Sequence, residues 1–116
     1  MSADTTLLVL GTLTGEVDEK SQPVREYRVA VVQAVENAYL DPTDPKQRQW
    51  RDDWLKASFR HGPQADGVGD SDVFQVTLNR DQALTQAAEL FHRWAVRGWI
   101  LEYGVVLLEL DEPFPD

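Results

Sequence analysis

Residues 5–13 read TTLLVLGTL, a near-continuous apolar run that lacks the alternation of a strand with one wet face. So short a run, rich in Leu, Val and Thr, suits a strand buried on both faces. It constrains the fold more than any other segment, because such a strand belongs inside a sheet. Residues 15–21 (GEVDEKS) follow as a charged, exposed connection.

Ser21 and Pro23 supply start signals for a helix over roughly residues 21–40. At helical spacing Val24, Tyr27, Val31, Val35 and Ala38 share an arc, opposite Arg25, Glu26, Gln33 and Glu36. The valine content keeps a strand over residues 26–32 as the alternative. The prolines of DPTDP (residues 41–45) end that helix, and Asp44 with Pro45 opens another that runs to about Arg60. Residues 61–72 (HGPQADGVGDSD) read as a loop, and residues 72–78 alternate as a half-buried strand. Residues 81–97 predict the best helix, with Leu84, Ala87, Ala88, Leu90, Phe91, Trp94 and Ala95 on one face and Gly98 to stop it. Residues 99–110 (WILEYGVVLLEL) predict a long strand with a bulge at Gly104.

The expected order is β-α-α-β-α-β. That is an α/β or α+β fold: a single two-layer sandwich of three helices and three strands, four if residues 26–32 are extended. In the four-strand case the order approaches a ferredoxin-like split βαβ. Residues 1–111 form one globular domain, and residues 112–116 an acidic C-terminal tail that prolines keep out of regular structure.

Charge narrows the choice of partner. Twenty acids against eleven Lys and Arg give a net charge of −9. Residues 61–116 hold ten acids and three Arg, whereas residues 25–60 are nearly balanced with six acids and seven bases. Such a chain repels phosphate backbones and anionic lipid, so direct nucleic-acid or membrane binding is not expected. The absence of cysteine excludes a disulfide scaffold and thiol catalysis and fits a reducing cytoplasm. No stretch approaches the ~20 apolar residues of a membrane span, and no secretory leader is visible.

Few residues carry chemistry. In residues 66–72 only Asp70 and Asp72 alternate, so the spacing of a calcium loop fails, and Gly67-x-Gly69 lacks the third glycine of a dinucleotide fingerprint. His61 and His92 have no nucleophile elbow to serve. Asp52 and Asp53 diverge by about 100° on a helix and form a solvated pair. No catalytic residue, metal ligand or cofactor is assigned. Arg28 falls in an apolar arc and is expected to snorkel, or to pair with Glu102 or an acid of the tail.

The binding candidates are aromatic and acidic. Trp50 and Trp54 align on one side of the second helix, with Leu55 and Phe59 on another, so one of the two stripes is left for a second element or a partner. Glu109, Asp111, Glu112 and Phe114 place acids around one ring, a segment suited to a basic groove. The expectation is an acidic protein–protein interaction module, of inhibitor, immunity or antagonist type, that binds the basic surface of another protein such as a nucleic-acid-binding one. The alternatives are a homo-oligomer built through the tryptophans or the last strand, and a small ligand-binding or catalytic domain that uses loop 61–72.

Overall fold

A hairpin sets the architecture. The structure, a computed structural model, describes residues 6–60, 77–96 and 104–115. Strand β1 (Thr6–Val17) pairs antiparallel with β2 (Pro23–Val32), in register from Thr6 with Val32 to Leu13 with Arg25. The turn between them is closed by Asp18, whose carboxylate accepts the amides of Lys20 (2.8 Å) and Gln22 (2.9 Å), while Ser21 takes φ 61°. The buried run thus forms β1, as its composition predicts, but the strand continues through Val17 into the segment expected to be a loop.

The helix predicted over residues 21–40 is overturned. Its first part is β2, and Val35–Tyr39 is one short 3₁₀ helix entered through Ala34 in the left-handed region. The alternative of a strand over residues 26–32 is what forms. The physical reason lies on both sides of the sheet. When both faces are covered, apolar residues occupy consecutive positions, the period of two disappears, and an arc on a helical wheel arises by default.

Two helices supply the cover. Helix α1 (Pro45–Arg60) begins as predicted: Pro45 takes the first turn, and the Asp44 carboxylate accepts the Lys46 amide at 3.0 Å. Helix α2 (Arg80–Val96) is capped by Asn79, which accepts the Gln82 amide at 2.9 Å. Strand β3 (Val105–Glu109) then pairs parallel to β1, from Leu7 with Val105 to Gly11 with Glu109, giving the sheet order β2-β1-β3. Gly104 precedes it with φ 65° and accepts the Leu7 amide at 2.9 Å. Thr77, the start of the described part after residue 60, exchanges two backbone hydrogen bonds with Tyr27 on the other edge of β2. The rest of the strand predicted over residues 72–78, loop 61–72 and residues 99–103 lie outside the described residues.

The sheet sorts its side chains by alternation. Leu7 and Val9 of β1 join Tyr27 and Val29 of β2 against Ala83, Ala87 and Leu90 of α2. Leu8 and Leu10 join Ala30 and Val32 against Val35 and Leu55 of the α1 side. The described residues therefore form a small α+β fold with one helix on each face of the sheet, three layers rather than the expected two. A two-residue period in β1 sends adjacent side chains to opposite faces, so an apolar run in the central strand needs both covers. Because β1 and β2 are joined by a tight turn and not by a helix, the β-α-α-β-α-β order and the ferredoxin-like alternative both give way. Among the described elements the order is strand, strand, 3₁₀ helix, helix, helix, strand. No described helix is long and apolar enough to cross a membrane.

Candidate functional site

Polar side chains gather where β1 and β3 end and β2 begins, on both faces of the sheet. On the α2 face Gly11 makes the arrangement possible. It lies opposite Tyr27 on one side and Glu109 on the other. A Cβ at Gly11 would meet the Tyr27 ring at 2.6 Å, so the bare glycine lets the ring lie across β1. The Tyr27 hydroxyl then donates to Glu109 Oε2 at 2.5 Å. Burial, together with the hydrogen bond to Glu109 and its charge, pushes the Tyr27 pKa up to about 12. Arg80 lies 4.0 Å from the same carboxylate, and Arg25 pairs with Asp111.

On the α1 face the C-terminal segment is received by three arginines. Arg51 is only 2 % exposed, and its guanidinium donates to Glu112 (2.5 Å) and Asp52 (3.0 Å). Burial works against its charge, but the hydrogen bonds it donates to Glu112 and Asp52, with the charges of those carboxylates, outweigh it and hold the pKa above its ordinary value. Arg48 donates to the same Glu112 oxygen at 3.0 Å. Two residues on, the Phe114 ring lies under the Arg28 guanidinium (4.1 Å) and edge-on to Phe59 (6.0 Å between centroids). Arg28 also pairs with Glu26 (2.8 Å) and donates to Thr12 Oγ1 (3.2 Å). The tail thus reaches Arg28 through its aromatic ring rather than through an acid.

The candidates from the sequence separate into two groups. Glu109, Asp111, Glu112 and Phe114 all contact side chains of their own chain. Trp54 packs on the α1-side core together with Leu55, Phe59 and Phe114, and its indole N–H donates to the Gln33 carbonyl at 3.0 Å. Trp50 stands apart: it is 66 % exposed, so the stripe seen in the sequence is divided between core and surface. Tyr39, at the end of the 3₁₀ helix, is also exposed.

Other polar candidates are occupied locally. Asp52 serves Arg51, and Asp53 accepts Gln49 Nε2 at 2.8 Å. His92 lies on the exposed surface of α2. Among the described residues no group of three His, Cys, Asp or Glu is placed to hold a metal ion. Tyr27, Arg51, Arg25 and Arg48 were not legible as site residues. The one available signal was Gly11, since a glycine inside a strand marks a close approach by another group. Chemically, the cluster matches cations to carboxylates and an aromatic ring, which suits recognition of a peptide segment.

No family model, curated protein or solved structure matches the chain.

Proposed function

We propose that the protein is an acidic protein-binding module that meets a basic partner through the face of α1 carrying Trp50. The observation that carries this reading is the exposure of that one indole, 66 %, on a regular helix whose other large aromatic residues pack inward. Exposed tryptophan is the residue type most enriched among binding hot spots, because one rigid side chain brings a large contact area at low entropic cost. Tyr39 adds a second exposed ring on the adjoining 3₁₀ helix. The net charge of −9 supports a cationic partner and speeds encounter with it. The tail acids are engaged with Arg25, Arg48 and Arg51, so the contact is assigned to Trp50 and not to residues 109–114. A cysteine-free chain fits such work in the cytoplasm, as an inhibitor or antagonist of its partner.

The test is a photoreactive side chain at position 50, with the crosslinked partner identified, purified and titrated with the wild type and Trp50→Ala. Binding weakened about tenfold or more with unchanged circular dichroism, and association slowed by salt, is the expected result. Equal affinity of both proteins would remove the Trp50 face. A crosslink only to a second copy would make this face a homodimer interface instead.

A further inference from the structure

The C-terminal segment is held through its backbone as far as Glu112 and through side chains beyond it. Past β3 its pairing with β1 continues through Leu110 N to Gly11 O (2.8 Å) and Leu13 N to Glu112 O (3.0 Å). Pro113 and Pro115 have no N–H to extend a ladder, so attachment from there on depends on Glu112 and Phe114. These two enter a groove assembled from elements distant in sequence: Arg48, Arg51 and Phe59 from α1, and Arg28 from β2.

We propose that this groove is a docking site for an acidic, aromatic segment of a partner protein, and that residues 112–115 occupy it in cis. Charge complementarity supports the assignment. Arg51 is buried with Asp52 beside it, and it takes a second carboxylate from the segment. Once desolvated, that guanidinium disfavours any occupant lacking an anion at the same place. Two residues further on, the Arg28 guanidinium covers a ring that packs in a T with Phe59, so the groove reads a carboxylate and an aromatic residue at fixed spacing. Contacts made by two side chains alone can be matched by another segment that carries the same carboxylate and ring at the same spacing. The tethered tail competes at millimolar effective concentration, so a partner segment binds the wild type with an affinity reduced by the fraction of open grooves. This site is separate from Trp50, and either can fail without the other.

The test uses a fluorescent peptide with the sequence of residues 109–115, ELDEPFP, titrated into full-length protein. A chain with Glu112→Gln and Phe114→Ala keeps the groove but weakens its occupant, and it is expected to bind the peptide about tenfold more tightly than the wild type. A peptide with the same two substitutions is expected not to compete. A native-like double variant that binds no better than the wild type, or a scrambled peptide that binds equally, overturns the proposal. Should the double variant lose its native circular dichroism, amide spectra of the wild type in excess peptide decide. Saturable shifts at Thr12, Arg28 and Phe59 support the groove, and unshifted spectra overturn it.

Discussion

The Tyr27 hydroxyl reaches the Glu109 carboxylate at 2.5 Å from two strands away, across a glycine that leaves the intervening strand bare. This contact ties both neighbours of β1 together on the α2 face. It makes a tyrosine on β2 and a glutamate on β3 depend on the missing side chain of Gly11.

Gly11→Ala tests that dependence. The new methyl would sit 2.6 Å from the ring, so Tyr27 has to move and its bond to Glu109 lengthens. Overpacking of this kind costs about 1–3 kcal/mol, read as a lower urea midpoint.

Alkaline pH reports the same contact. The folded pKa of Tyr27, about 12, lies above the ordinary value of 10, so folding favours the protonated phenol. Its contribution is complete below pH 10 and is lost as pH rises from 10 through 12, on the order of 2 kcal/mol. Tyr27→Phe should remove this alkaline decline from stability measured against pH. An identical decline in the variant would place its origin elsewhere.

The two acids of the C-terminal segment are expected to differ in weight. Asp111 is 91 % exposed on Arg25, so Asp111→Asn should cost less than about 1 kcal/mol. Glu112→Gln removes a charge from Arg51, which is 2 % exposed, and about 2 kcal/mol or more is expected. Denaturant unfolding of the two variants side by side gives the comparison, and equal losses would contradict the burial of Arg51.

Ala34 sits at φ 56° and ψ 53°, where a Cβ is crowded by the following carbonyl. Ala34→Gly should relieve that strain and raise stability by about 0.5 kcal/mol, after the larger entropy of the unfolded glycine is subtracted. A lower thermal midpoint would show that the methyl is needed for packing.

The two tryptophans of α1 should respond in opposite ways. Trp54→Ala loses core packing and the bond to Gln33, about 2–3 kcal/mol, whereas Trp50→Ala should stay within about 0.5 kcal/mol. Fluorescence agrees if Trp50→Ala removes more of the quenchable emission than Trp54→Ala does.

Local chemistry determined much of this fold. The buried run became β1, Asp44 and Pro45 opened α1, and the pattern beginning at Asp81 formed α2 within one residue. These signals act over a few residues, through capping, fixed proline dihedrals and apolar spacing, so the sequence alone carries them. The strand at Pro23–Val32 was different. Its valines and Tyr27 satisfy a helical arc and a two-sided strand alike, and only pairing with β1 under two helical covers chose between them. The acids of the C-terminal segment were visible as a charge excess, but their partners are remote in the chain. Arg25 lies 86 positions from Asp111, and Arg48 and Arg51 lie 64 and 61 positions from Glu112. Composition fixed how much charge the chain carries. Tertiary structure alone decided which charges meet, because a Coulomb contact depends on distance through space and not along the chain.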